Sequence, residues 1–287
     1  LTDPTPTDLS FIREPRRHLS FSQLNVYDSC SEKYRLSYVE NAPREPQGAF
    51  LGGIAVHETI AQSETVGWWP EEEPFADPSA VAIAYFLRTL HDQVDKNGGE
   101  DAIRWGGRGG GETLAWWEKQ GEFMLRRYQL TRVGMEAEGW GSVEGGTEMR
   151  VIAELPGVSS PVIGYLDKFM MHEGGEPLIL DWKAGRVGWV EPMQFATYAN
   201  LVERARGIRV TRGVVVFLRA PEPAKRVQAV HFEPLIDRMP DVFAKMVAGI
   251  EAGIFAPHPS SFCSSCSVRE SCWYWRGTRP PEEGETG

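Results

Sequence analysis

Asp167, Asp181 and Lys183 are the residues of this sequence whose types and spacing point most directly to chemistry. Asp181 and Lys183 lie two apart in Ile179-Leu180-Asp181-Trp182-Lys183, so along an extended strand their side chains leave the same face while Trp182 points the other way. A carboxylate is thereby set beside an ammonium group. Asp167 stands on the upstream strand, and two carboxylates can hold a hard divalent cation through oxygen ligands while the lysine offsets charge on an attacking water or a scissile phosphate. Charges closing an otherwise apolar strand break the local pattern, and such breaks concentrate at functional sites. The alternative without chemistry is an exposed ion pair at the sheet's edge.

These residues need a hairpin to bring them together, and the segment from Val162 to Arg186 reads as one. Two apolar runs flank a turn at His172-Glu173-Gly174-Gly175-Glu176-Pro177. Upstream, Thr147 to Leu155 reads as a strand whose Glu148 is either a minor contributor to the site or a surface glutamate. Downstream, Val190 to Arg206 reads as a helix with Gln194 and Tyr198 one turn apart on one face. Gly48 to Gly67 reads as a helix whose Gly52 and Gly53 allow close approach of another backbone, and it carries His57. The string His57-Glu58-Thr59-Ile60-Ala61 lacks the second histidine of a zinc-protease helix.

The remaining elements supply a core and edges. Leu19 to Ser22 opens a helix with Ser20 or Ser22 as N-cap and Leu24, Tyr27, Tyr34, Leu36 and Tyr38 as its apolar face. Residues 79–96 read as a helix burying Val81, Ile83, Ala84, Phe86, Leu87 and Leu90. Thr113 to Arg132 reads as a helix with Trp116, Trp117, Phe123, Leu125 and Tyr128 in the core, and Arg126, Arg127 and Arg132 on a basic rim. Between them, Asn97 to Gly111 is a glycine-rich flexible insertion without the Lys-Ser/Thr of a phosphate-binding loop; Arg104 and Arg108 on it could touch a nucleic-acid backbone. Val210 to Leu218 and Arg226 to Phe232 read as strands, and Leu235 to Gly253 as a helix ending at glycine. Arg204, Arg206, Arg209 and Arg212 form either a solvated face or the lining of a DNA path.

With 287 residues, 41% of them hydrophobic, the chain can build one large domain or a domain with an appended lobe. No apolar run approaches the roughly 18–20 residues of a membrane span, and the polar, proline-rich start does not read as a signal peptide, so an intracellular protein is expected. A net charge of −10 argues against a nonspecific nucleic-acid coat protein, whose binding is driven by lysine and arginine, but not against a nuclease with a local basic groove. Part of the excess sits in Glu71 to Glu73 and in Glu282, Glu283 and Glu285.

The four cysteines carry the strongest pattern. Cys263, Cys266 and Cys272 have C-x2-C-x5-C spacing, and Cys30 completes the set. Disulfides would need an oxidising compartment, whereas close spacing in an intracellular chain points to a metal or cluster. Zinc and an iron–sulfur cluster both accept four thiolates.

In order along the chain stand Cys30, Gly53 with His57, Asp167, Asp181 with Lys183, Gln194 with Tyr198, and the cysteine triplet. In this succession the sequence resembles the RecB-like PD-(D/E)xK exonucleases with an iron–sulfur staple, of the AddB type and the Cas-four type of CRISPR-associated exonuclease, phage-encoded members included. It departs in having Leu166 where the family has proline before its first aspartate, and Asp181 where glutamate is usual. The resemblance implies an α/β fold: a PD-(D/E)xK core with a central mixed sheet flanked by helices, a helical insertion and an N/C-terminal iron–sulfur lobe. Its expected parts are a leader over 1–18, the first cysteine helix over 19–47, a helical lobe over 48–141, the nuclease core over 142–234, a C-terminal helix and iron–sulfur segment over 235–276, and an acidic tail over 277–287.

The same resemblance implies that His57, Asp167, Asp181 and the Trp182 carbonyl hold Mg2+ or Mn2+, that Lys183 acts on the water or the phosphorus, and that Gln194 and Tyr198 position the lysine and the substrate backbone. It further implies that Cys30, Cys263, Cys266 and Cys272 hold a 4Fe-4S cluster whose first role is structural. Clipping a loop of more than two hundred residues is stabilising because closure entropy grows slowly with length. The expected protein is a cytoplasmic, metal-dependent DNA exonuclease of a bacterial or phage-infected cell, acting on single strands or ends in recombination, repair, phage DNA metabolism or CRISPR adaptation. Its partners are DNA and the proteins of those pathways, with no membrane. A non-catalytic iron–sulfur DNA-binding or assembly module and a zinc protein with unrelated hydrolase chemistry are the alternatives.

Overall fold

A computed structural model describes residues 18–67, 78–106, 111–188 and 190–277. In chain order these form β1 (Leu19–Ser20), α1 (Phe21–Ser29), α2 (Ser31–Tyr34), a π-helical turn (Arg35–Val39), α3 (Gly48–Val66), α4 (Pro78–Lys96) and α5 (Leu114–Ala137). There follow β2 (Trp140–Ala153), β3 (Val162–His172), β4 (Pro177–Lys183), α6 (Pro192–Arg206), β5 (Arg212–Phe217), β6 (Val227–Ala229), α7 (Met239–Glu251) and α8 (Trp273–Arg276). The contacts divide the chain into two units. One contains the described residues of Leu1–Glu45, Ala153–Ile163 and Arg238–Gly287; the other contains Pro46–Ile152 and Gly164–Asp237.

The larger unit is a mixed sheet flanked by helices. β3 and β4 form the expected antiparallel hairpin, with Lys168 opposite Leu180 and Met171 opposite Pro177. β4 then pairs in parallel with β5 and β5 antiparallel with β6, while β2 joins on β3. A parallel neighbour requires a crossover, and α6 supplies it, started by the Glu191 carboxylate on the Met193 amide with Pro192 in the first turn. One sheet face, carrying Met170, Leu178, Leu180, Trp182 and Val216, is buried against Ala55, Val56 and Ile60 of α3, Phe86 and Leu90 of α4, and Met124, Leu125 and Tyr128 of α5. Burial of each such side chain stabilises the fold by about 1.5–3 kcal/mol. A Cβ on Gly52 would lie 2.2 Å from the Trp117 ring, so glycine there lets α3 and α5 meet; a Cβ on Gly53 would meet nothing.

In the smaller unit Ser20 is the N-cap of α1, accepting from the Gln23 amide, and β1 pairs in parallel with Val162 and Ile163. The helix expected to run on through Tyr38 breaks at Cys30, whose backbone is extended and whose sulfur accepts from the Lys33 amide at the start of α2. The Tyr27 hydroxyl donates to the Ile254 carbonyl and Ser31 exchanges hydrogen bonds with Ala256, so the segment after α7 is tied back to the first helices.

Several expectations are corrected. On α4 the buried face is Ala82, Phe86, Leu90 and Val94, so Val81 and Ala84 are exposed. Phe123 is exposed under the Arg127 guanidinium, which donates to the Leu218 and Ala220 carbonyls. Arg132 is buried among partners and offers no basic rim. Asp181 and Lys183 do not lie at the sheet's edge, since β4 has neighbours on both sides. Of the arginines suggested for a DNA path, Arg204 binds Asn200, Arg209 binds Glu203 and Asp237, and Arg212 binds Glu176. Arg104 lies in a bridge to Gln47, and Arg108 lies outside the described residues.

Candidate active site

Alternation along β4 does what the sequence suggested: Trp182 is buried in the helix-covered core, and Asp181 and Lys183 share the other face. Lys183 Nζ stands 3.0 Å from Asp181 Oδ1 and 2.8 Å from Oδ2, donating its hydrogen bond to Oδ1. Gln194 Nε2 donates to the same Oδ1 at 3.1 Å and reaches the Tyr198 hydroxyl at 3.2 Å. One turn of α6 therefore spans from the carboxylate to the phenol. Tyr198 fits because β3 has glycine beneath it: a Cβ on Gly164 would lie 2.9 Å from its ring.

Asp167 arrives from β3, and its Oδ2 accepts from the Trp182 amide at 2.7 Å, locking the two strands at the level of the site. His57 of α3 completes the approach, with Nδ1 3.4 Å from Asp167 Oδ2. The structure thus gathers His57, Asp167, Asp181, Lys183, Gln194 and Tyr198 into one locality. It adds Glu148 of β2: ligand atoms of His57, Glu148 and Asp167 all lie within 4.8 Å of one another. Glu148 has φ 45°, a left-handed conformation that costs a non-glycine residue about 1–3 kcal/mol and recurs at functional sites.

The donor set fits a hard cation. Asp181 is 4% exposed, yet its Oδ2 accepts no hydrogen bond, leaving a buried carboxylate oxygen with spare lone pairs beside a second carboxylate. Burial, then the Asp167 charge, push the Asp181 carboxyl up to about 6 despite Lys183, and partial desolvation with the same Asp167 charge pushes Glu148, an exposed residue, up to about 7. Burial pulls His57 down, but Asp167 outweighs it and the imidazole is held above its ordinary value.

The pH dependence has a definite sign. Both carboxyls lie above their ordinary values, so between about pH 4 and 7 the folded chain holds protons the unfolded chain has released, and stability from these groups falls as pH rises through that window. A divalent cation replaces those protons. Added Mn2+ is therefore expected to raise the melting temperature more at pH 8 than at pH 5.5, read by thermal scans with and without chelator. An equal shift at both values would contradict the assigned proton load.

The cysteines gather in the smaller unit. All four are free thiols, and Cys30, Cys263, Cys266 and Cys272 line one partly open pocket with Lys33, His258, Arg269 and Trp275. Cys30 Sγ accepts from the Lys33 and His258 amides, and Cys263 Sγ from the Ser260 amide. Converging thiols whose sulfurs receive backbone N–H groups suit a thiolate-ligated group.

Sequence reasoning gave Glu148 only a marginal place. Its approach to Asp167 depends on the turn of the β2 backbone at Glu148 and at Gly145, φ 65°, which strand alternation does not express. The glycine pair Gly145-Gly146 ahead of it was the available signal.

A mixed sheet presenting one aspartate on the first strand of a hairpin and Asp-x-Lys on the second defines the class of metal-dependent nuclease cores. The chain belongs to the PD-(D/E)XK nuclease superfamily, whose sequence model matches residues 18–273. The Gene 69 protein of Mycobacterium phage D29 is 24% identical over 274 residues, covering 88% of this chain and 95% of that protein. A solved structure, described as the crystal structure of SSO0001, is 15% identical with a TM-score of 0.34, over 53% of this chain and 68% of that one. Among the described residues no helix is long and apolar enough to cross a membrane.

Proposed function

We propose that this chain is a Mg2+- or Mn2+-dependent deoxyribonuclease that removes nucleotides from single-stranded DNA or DNA ends. The observation that carries the reading is the buried Asp181 carboxylate, whose Oδ2 makes no hydrogen bond and lies 2.8 Å from the Lys183 ammonium, in a locality shared with Asp167, His57 and Gln194. His57, Glu148 and Asp167, whose ligand atoms all lie within 4.8 Å of one another, would hold the cation, together with Asp181 and the Trp182 carbonyl, which the family resemblance adds to the set. When bound there, such an ion would supply Lewis acidity toward the phosphoryl group and toward an attacking water.

The chain's own groups do the rest. Lys183 has a side chain 40% exposed, anchored by Asp181 and able to face a phosphate, where a preorganised ammonium offsets developing charge worth about 10^2–10^3 in rate. Gln194 holds the Asp181 carboxylate in plane and steers the Tyr198 hydroxyl, whose pKa burial raises, so that it stays a neutral hydrogen-bonding group for the strand. The reading extends to the four cysteines as ligands of a 4Fe-4S cluster, supported by their shared cavity and the amide donors on their sulfurs. Recombination, repair, phage DNA metabolism and CRISPR adaptation are the settings in which such an enzyme acts, and a match to a phage protein over most of both chains agrees with a phage setting.

An end-labelled single-stranded oligonucleotide incubated with Mn2+ tests the activity. A ladder shortening from one end, abolished by EDTA, is expected. Cleavage that survives chelation contradicts the metal chemistry, internal fragments replace the exonuclease by an endonuclease, and a gel shift without shortening favours a binding module.

A further inference from the structure

The segments that bring His57, Glu148 and Asp167 each also bring a side chain into a single buried polar network on the helix-covered side of the sheet. Lys168 follows Asp167 on β3, so alternation sends it to the opposite face, where Nζ donates to Glu64 Oε2 at 2.6 Å and to Thr147 Oγ1 at 2.8 Å. Thr147 immediately precedes Glu148 on β2. Glu64 lies seven residues beyond His57 on α3, two turns along the same side of the helix. Its Oε1 accepts from the Tyr128 hydroxyl at 2.9 Å and from Arg132 Nε at 3.1 Å, both one turn apart on α5. Arg132 also donates to Ser142 of β2, and the Tyr128 ring meets Trp182, the neighbour of Asp181, edge to face at 5.1 Å. The side chains of Glu64, Arg132 and Lys168 are 2%, 2% and 1% exposed.

We propose that the Glu64–Lys168 cluster is the positioning device of the cation site: it fixes α3 against β2 and β3, and so sets where His57, Glu148 and Asp167 stand relative to one another. This rests on the reading of that locality as a cation site. Stability does not account for the network. Desolvating such a set of charges costs about as much as their attraction returns, and similarly sized apolar residues often serve the fold as well or better. What apolar residues do not supply is register. Lys168 has one geometry that meets both Glu64 and Thr147, and a slide of α3 along the sheet breaks it, whereas leucine against methionine tolerates the slide. Groups hydrogen-bonded directly to metal ligands are typically worth about 10–100-fold in metal affinity, and this cluster acts on the ligands through the backbone of α3, β2 and β3 instead.

The test uses the full chain with Glu64→Leu and Lys168→Met combined, removing both charges while keeping volume, and reads Mn2+ binding by titration calorimetry beside thermal scans and cleavage. The expected result is a chain that folds but melts lower, since Arg132 and Tyr128 lose Glu64 as acceptor, with Mn2+ affinity weakened about 10–100-fold. Because the double change could prevent folding, Thr147→Val is measured in parallel: it removes one hydrogen bond from Lys168 and is expected to weaken Mn2+ several-fold with the fold intact. Lys168→Arg, which keeps the charge, is expected to retain most of the affinity that Lys168→Met loses. Undiminished Mn2+ affinity in the double variant, or in Thr147→Val where the double variant does not fold, overturns the proposal. Failure of the natural sequence itself to bind Mn2+ overturns instead the cation-site reading on which it stands.

Discussion

Replacing Asp181 by asparagine is expected to reduce Mn2+-dependent cleavage by at least about a thousandfold while raising the melting temperature of the metal-free protein by a few degrees. Both effects come from one carboxylate. Asp181 is buried beside Asp167, and its carboxyl is pushed up to about 6 because ionising there is unfavourable. The uncharged amide relieves that repulsion and can still accept from Gln194 and Lys183, so the folded chain gains. The same substitution removes a charged, buried oxygen that makes no hydrogen bond and is paired with the Lys183 ammonium at 2.8 Å, and with it a ligand for the cation. Activity assays and thermal scans in EDTA read the two effects separately. A variant that cleaves normally would remove Asp181 from the site, and one that is markedly destabilised would show the carboxylate to be structural.

Cys30→Ser is expected to lose the broad visible absorbance of an iron–sulfur protein and to melt about 10–20 °C lower. Cys30 is the one ligand candidate distant in sequence from the C-terminal triplet, so it closes a loop of more than two hundred residues. Loop-closure arguments put such a clip at about 4–5 kcal/mol, and in a chain of this size each kcal/mol moves the melting point by about 2–4 °C. The serine hydroxyl fills the same space, so packing against Lys33 and His258 is retained and the loss reads the bound group. Iron and sulfide analysis of anaerobically prepared protein separates a cluster from zinc. A colourless natural protein carrying one zinc, or a variant with unchanged melting point, would contradict the cluster.

The hairpin was legible because it obeys short-range rules. A Gly-Gly-Glu-Pro turn between apolar runs fixes the strands, and a period of two settles which way Asp181, Trp182 and Lys183 face. The Gln194–Tyr198 pair was legible for the corresponding helical reason. What escaped depends on long-range contacts. Arg132 read as part of a basic rim, yet it is buried because Glu64 awaits it from a helix more than sixty residues away along the chain, where Lys168 joins them. Phe123 read as core, yet it is exposed beneath Arg127, whose own role is to satisfy two carbonyls after β5. Helical periodicity ran through Cys30, where the chain instead extends and turns its sulfur toward the amides of Lys33 and His258.

The most direct measurement is anomalous diffraction from a crystal soaked in MnCl2. The account predicts a peak bounded by Asp167, Asp181 and the Trp182 carbonyl, with oxygen ligands at about 2.0–2.4 Å, His57 turned toward it, and the peak lost in Asp181→Asn. Manganese bound elsewhere with this locality left empty, or a peak that persists unchanged in the variant, would contradict it.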